Sequence, residues 1–299
     1  MARPVTVAIL SPGEMGHAIG RTLARHGPRV ITSLDGRSER TAGLTQAAGI
    51  EDVGTLDRVV READVVLSVL PSAAAPTLAG EVARRLASRP RPLTFVECNA
   101  LAPQTAREIG QVVSAAGGHV VDVGIIGSPP TGTRSPRFYV SGPFVDEFLV
   151  FRDFGLDVLP IGAEIGQASG MKMCYAALTK GLSALGTELL LAGAKLDLLE
   201  PLLAELKDSQ PTVLEWLERA VPAMPPKARR WVSEMEEIAA TLEYLNLSPG
   251  YHQGAANLYR WVGETNLGHE RPESRDTSRT LRTVIDVLAQ SHPSADRKE

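Results

Sequence analysis

Short, almost continuous apolar runs alternate with stretches of helical periodicity through the first half of the chain. The runs are 5–10 (VTVAIL), 29–33, 64–70, 93–98 and 119–125. Runs without an alternating polar position suit parallel strands covered on both faces. Between them, 14–26, 38–47, 55–62, 74–88 and 103–116 carry apolar residues at helical spacing. Gly27, Gly49 and Gly117-Gly118 stand just past three of these, where glycine closes helices. The alternation predicts an α/β domain with a doubly wound sheet over 1–163. Two more runs, RFYVSG from Arg137 and LDVLPIG from Leu156, extend that sheet.

The pattern changes after Gly162. From Gly166 to Gln290 nearly everything has helical periodicity, with breaks expected at Pro201, Pro211, 221–226 and 247–250. This predicts an all-α C-terminal domain over 164–290, joined to the first by a long interdomain helix. The polar tail 291–299 is expected to fray. The helical part is rich in Leu on more than one face (LLLAGAKLDLLEPLLAELK), which predicts a homodimer formed through it.

Composition narrows the function. A net charge of -4, with Arg and Lys spread along 299 residues, argues against a nucleic-acid partner. Two cysteines, Cys98 and Cys174, form neither a disulfide framework nor a metal spacing, and six scattered histidines offer no zinc pattern. No metal is expected, and Cys174 reads as a small core residue. The chain shows no secretory signal, and its longest apolar stretch is interrupted by charges, so a cytoplasmic protein without a membrane partner is expected.

Candidate chemistry begins at AILSPGEMGHAIG. This stretch follows a strand and opens a helix, the context of the dinucleotide-binding (Rossmann) fingerprint. The pattern G-x-G-x-x-G falls on Ser11, Gly13 and Gly16, with Glu14 and Met15 between the last two. Gly13 allows a backbone to approach a pyrophosphate, Gly16 allows close helix–sheet packing, and the helix N-terminus attracts phosphate. After the second strand, Asp35 suits a ribose 2′-hydroxyl, whereas Arg37, Ser38 and Arg40 suit a 2′-phosphate. Three donors against one acid favour NADP over NAD.

Several stretches in order along the chain resemble the β-hydroxyacid dehydrogenase superfamily, which includes 3-hydroxyisobutyrate and 6-phosphogluconate dehydrogenases and, more distantly, imine reductases. AILSPGEMG is similar to the cofactor loop. SVLPSAAAP resembles the loop that covers the cofactor through Leu70, Pro71 and Ser72. VECNALAPQTA resembles the strand end that puts Asn99 by the nicotinamide ribose. VVDVGIIGSPPTGTRSPRFYVSG is similar to the substrate motif D-x-P-V-S-G-G, and makes Asp122, Gly127 and Ser128 substrate candidates. GQASGMKMCYAA resembles the catalytic motif G-x-x-x-K-x-x-N-N at its Lys, Lys172, with Gly166 two positions further upstream than the motif's Gly. The departures are equally specific. The substrate-motif Ser is Ile126, the two asparagines are Tyr175 and Ala176, and a cofactor-contacting Lys of the helical domain falls near Glu236.

The resemblance implies a small-molecule alcohol or carbonyl substrate, with Lys172 as acid/base and Asn99 and Tyr175 beside it. A desolvated lysine suits that task. Ala168, Ser169, Tyr175, Ala176 and Thr179 share its helix face, so small residues flank it on one side and two hydroxyls on the other. The alternatives are a snorkelling surface lysine, an imine reductase-like enzyme, or an NADP-binding sensor without turnover. Tyr251, His252 and Arg260 are weaker candidates for reaching the site.

Overall fold

The computed structural model describes residues 5–87, 89–131, 134–271 and 275–291. The chain divides into two compact units, 1–174 and 175–299.

The first unit alternates strand and helix: β1 (Thr6–Leu10), α1 (Glu14–Arg25), β2 (Arg29–Thr32), α2 (Glu39–Ala47), β3 (Glu51–Asp52), α3 (Leu56–Glu62), β4 (Val65–Ser68), α4 (Ala75–Leu86), β5 (Thr94–Glu97), α5 (Pro103–Ala115), β6 (His119–Ile126), β7 (Arg137–Ser141), α6 (Asp146–Leu149) and β8 (Asp157–Gly162). One eight-stranded sheet has the order β3-β2-β1-β4-β5-β6-β7-β8. Every pair is parallel except β6–β7, which is antiparallel. A short connection cannot cross over the sheet, so the chain turns back as a hairpin there. This is the doubly wound sheet the apolar runs predict. The edge strand β3 escapes prediction because its two residues, Glu51 and Asp52, are both polar and exposed.

Alternate strand residues build two cores. Val7, Ile9, Leu67, Val96, Val121 and Val123 pack with α1 on one face. Ala8, Leu10, Val66, Phe95 and Val120 pack with α3, α4 and α5 on the other. Burial on both faces is why these strands read as continuous apolar runs.

The helices α7 (Gln167–Lys195), α8 (Leu199–Ser209), α9 (Pro211–Ala223), α10 (Ala228–Tyr244), α11 (Gly250–Glu264) and α12 (Leu281–Ser291) follow. The division between the units falls inside α7, whose 29 residues give a length of about 43 Å. The break expected at Pro201 lies upstream, where Asp197 takes a φ of 57°. Pro201 sits in the first turn of α8, a place that needs no backbone donor. In the second unit, α10 and α11 pair around the fully buried Tyr259, whose ring meets Trp231 edge-on. Lys180 pairs with Glu234 and lies 5.5 Å over the Trp231 ring. Among the described residues, no helix is long and apolar enough to cross a membrane. The tail from 292 lies outside the described residues.

Candidate active site

Strand order reverses between β1 and β4, and in such sheets ligands bind beyond the carboxyl ends at that point. Leu10 and Ser68 pair across it. From Leu10 the chain turns through Ser11, Pro12 and Gly13 into α1. Ser11 stands in the left-handed region at φ 62°, where the fingerprint has glycine. The Gly13 amide donates to the Ser11 carbonyl at 2.7 Å. A Cβ on Gly16 would approach the Ile9 side chain to 3.2 Å, so a larger residue would push α1 off the sheet. No side chain caps α1. Uncapped helix N-termini of this kind favour an anion. Glu14 and Met15 lie in that first turn, with Met15 packed against the core.

Beyond β2, Asp35, Arg37 and Ser38 are all exposed. The Ser38 hydroxyl is already engaged, accepting from the Thr41 amide as the cap of α2. In the loop after β4, the Leu70 amide donates to Asn99 Oδ1 at 2.6 Å, and Pro71 leads into a short turn at Ser72. Ser72 Oγ is buried with no hydrogen-bond partner among the described residues. An uncapped helix end and an orphaned hydroxyl at this switch point fit a dinucleotide.

Four buried polar residues stand in register across β4, β5, β6 and β7: Ser68, Glu97, Asp122 and Ser141. Asn99 ties the first two to the loops above. Its amide nitrogen Nδ2 donates to Ser68 Oγ at 2.8 Å, and its backbone N–H donates to Glu97 Oε1 at 2.8 Å. Burial pushes the Glu97 carboxyl up to about 8, against the opposing hydrogen bonds from Asn99 and Ser68, and the nearby Asp122 adds to the rise. Its second oxygen, Oε2, has no partner among the described residues. Burial also pushes the Cys98 thiol up.

Asp122 was expected at the substrate, and its geometry gives it other work. It is fully buried. Oδ2 accepts from Ser141 Oγ, the Gly166 amide and the Ser169 amide, at 3.1, 2.8 and 3.0 Å; Oδ1 accepts from Ser169 Oγ at 2.6 Å. Ser141 Oγ accepts from the Ala168 amide. A carboxylate thus satisfies the otherwise unpaired donors that begin α7, where negative charge is also favoured. Gly166 makes the turn into α7 at φ 100°, against the Pro103 carbonyl. One turn later Lys172, half-buried, donates from Nζ to the Cys98 carbonyl at 3.3 Å. The helix lies directly on β6, since a Cβ on Gly124 would sit 2.5 Å from the Ala168 carbonyl oxygen and 3.2 Å from Lys172 Cβ.

The first unit therefore gathers Ser11–Gly16, Leu70–Ser72, Asn99 and Lys172 at the carboxyl ends of β1, β4, β5 and β6. Gly127 and Ser128 lie exposed in the hairpin after β6; residues 132 and 133 of that stretch are outside the described residues. On the lysine's helix, the Ser169 hydroxyl is committed to Asp122, and the Thr179 hydroxyl donates to the Tyr175 carbonyl. The Thr179 hydroxyl, one of the two expected beside the lysine together with that of Tyr175, is thus engaged within its own helix. Tyr175 is 48% exposed. Cys174 is exposed too, correcting its reading as a core residue; it lies on the same exposed stripe of α7 as Met171, Tyr175 and Leu178. In the second unit, Tyr251 donates to the Gly181 carbonyl at 2.7 Å, and His252 is buried beside the Ala177 carbonyl. Arg260 bonds Asn257 and Glu236.

Sequence reasoning missed Ser68, Glu97 and Ser141, and gave Ser169 only a place on the lysine's helix face. The available signal was a polar residue at or near the end of three apolar strands, at matching height.

Residues 6–145 match the NAD binding domain of 6-phosphogluconate dehydrogenase, and 194–262 match a domain of unknown function, DUF1932. A 28.5 kDa uncharacterised protein of Methanothermus fervidus is 26% identical over 236 residues, 79% of this chain and 90% of that one. A 3-hydroxyisobutyrate dehydrogenase of Pseudomonas aeruginosa is 28% identical over 210 residues, 67% of this chain and 68% of that one. The 3-hydroxyisobutyrate dehydrogenase structure from Mycobacterium tuberculosis shares the fold with a TM-score of 0.68, at 18% identity over 96% of this chain and 99% of that one.

Proposed function

We propose that this chain is a member of the β-hydroxyacid dehydrogenase superfamily and, on that premise, an NADP-dependent oxidoreductase interconverting a small polar alcohol and its carbonyl. The observation that carries this reading is the convergence of an uncapped α1 N-terminus, Asn99 and Lys172 on one edge of the sheet.

The α1 amides and the turn at Ser11, Gly13, Glu14, Met15 and Gly16 hold the pyrophosphate. Arg37, with Ser38 and Arg40, takes the 2′-phosphate; Asp35 is the residue that would favour NAD instead. Leu70, Pro71 and Ser72 close over the cofactor, and Asn99 fixes that loop through the Leu70 amide. A bound nicotinamide supplies or accepts the hydride. Lys172 Nζ moves the proton at the substrate oxygen, and its bond to the Cys98 carbonyl aims it. Tyr175, three positions along the same helix, narrows the substrate's surroundings where relatives carry an amide. Gly127 and Ser128 offer the substrate a backbone and a hydroxyl. We take the cofactor domain as 1–163 and the helical domain as 164–290, with the first turns of α7, which carry Lys172, packed in the compact unit 1–174. A second copy of the chain covers Leu178, Leu185 and Leu196, which are 67%, 44% and 67% exposed.

The test is a fluorescence titration with NADPH and NADH, followed by a screen of small hydroxyacids and alcohols with NADP⁺. Lys172→Ala should lower kcat by about 10²- to 10⁴-fold, with NADPH affinity within about twofold of wild type. Turnover that survives the substitution refutes the lysine's role. NADPH binding with no turnover across the panel favours a sensor. Imine reduction is the second reading, and the presence of Lys172 weighs against it.

A further inference from the structure

The residues 97–99 form a hinge point between the two halves of the proposed site. The Cys98 carbonyl receives Lys172 Nζ. The Asn99 side chain receives the Leu70 amide and donates to Ser68. What fixes this turn is Glu97, whose Oε1 takes the Asn99 backbone N–H at 2.8 Å while its side chain stays 1% exposed. Its Oε2 is buried and unpartnered among the described residues. An acceptor oxygen left dry is costly, and far more so if it carries charge. A purely structural turn would be served better by a neutral, shorter side chain.

We propose that Glu97 is a positioning residue for hydride and proton transfer: its carboxyl holds the turn that sets where Lys172 and Asn99 stand, and its protonation state couples that placement to pH. The inference rests on the dehydrogenase reading above.

The ionisable groups around it can be named element by element. Asp122 faces it from β6 and Lys172 reaches the adjacent carbonyl from α7; Cys98 follows it in the chain. β4 offers the neutral Ser68, and the first turn of α5, Pro103-Gln104-Thr105, carries no charge. Asp122 is held by four donors, and its nearness adds to the rise at Glu97. With its carboxyl raised to about 8 by burial, Glu97 is uncharged at pH 7. Ionisation above that draws water or a rearrangement into the turn. A bound dinucleotide covers the site and brings further negative charge, which raises Glu97 again. Binding therefore takes up a proton, and affinity must fall as pH rises through about 8.

The experiment is NADPH affinity and steady-state kinetics from pH 7 to 9.5 in wild type, Glu97→Gln and Glu97→Asp. Gln copies the uncharged acid and cannot titrate. Asp withdraws the acceptor by one methylene. In wild type, NADPH Kd should weaken at least fivefold between pH 7 and 9.5. In Glu97→Gln it should stay within twofold, and kcat should lose the ionisation near 8. Glu97→Asp should lower kcat at pH 7 more than tenfold while KM changes less than threefold. Identical pH profiles in wild type and Glu97→Gln, with NADPH bound by both, overturn this inference alone. A wild type that binds no NADPH at any pH overturns the dehydrogenase reading and this one with it.

Discussion

Gly124→Ala tests how tightly α7 is seated. An alanine methyl at 124 would lie 2.5 Å from the Ala168 carbonyl oxygen. Ordinary carbon–oxygen contacts begin at about 3.3 Å, so the first turn of α7 must retreat by about 0.8 Å. The obstacle is helix backbone, tied to Asp122 by two amides, and cannot swing aside as a side chain would. Overpacking of this kind costs about 1–3 kcal/mol. The same retreat moves Lys172, whose Cβ stands 3.2 Å from the new methyl. Misplacing a catalytic group by about 1 Å costs up to about 10²-fold in rate. The assay is urea unfolding followed by circular dichroism, with turnover measured alongside. All three tryptophans, Trp216, Trp231 and Trp261, belong to the helical unit, so fluorescence alone would miss a local loss in the first unit. Gly80→Ala on α4 is the control: its Cβ would meet nothing within 4 Å, and alanine in a helix gains up to about 1 kcal/mol. If Gly124→Ala is as stable as wild type within about 0.5 kcal/mol and turns over normally, the close seating of α7 on β6 is wrong.

Two further outcomes follow from the geometry. Ser11→Gly removes a non-glycine residue from φ 62°, and thermal unfolding should show a gain of about 1 kcal/mol, since left-handed backbone costs about 1–2 kcal/mol and glycine's extra freedom returns part of it; a fall in Tm would mean that the serine earns its place by a contact of its own. The exposed Leu178, Leu185 and Leu196 should be covered by a second copy of the chain, so light scattering at micromolar concentration should give twice the monomer mass, and a monomer would count against that surface.

The sheet was legible because burial on both faces leaves continuous apolar runs; β1, β4 and β5 fall within them, and β6 overruns its own by one residue. The turn at Ser11–Gly16 was legible from Gly13 and Gly16 at their spacing between a strand and a helix, although its one left-handed residue is Ser11. Lys172 stood out as a cation among small residues. The hydrogen bonds of Asp122 were not legible, because spacing along a strand does not say whether a carboxylate faces solvent or the amides of a helix 44 residues away. Glu97 was invisible as a separate signal: one acid at a strand end looks like a solvated terminus until its neighbours on β4 and β6 are known. Cys174 was misassigned because the exposed flank of α7 is as apolar as its packed flank.

The row Ser68, Glu97, Asp122 and Ser141 also bears on how the sheet finds its pairing. Successive strand residues face opposite sides, so a one-residue slip of β5 would exchange Phe95 and Glu97 for Val96 and Cys98. The carboxyl would then enter the apolar layer built on α1, with neither Ser68 nor the Asn99 amide beside it. Slipping β6 would strip the start of α7 of its acceptor in the same motion. Apolar strands pair almost equally well in several alignments, whereas this band of four polar side chains closes in only one. It acts as a zip-stop for strand assembly, and it makes misaligned folding intermediates expensive.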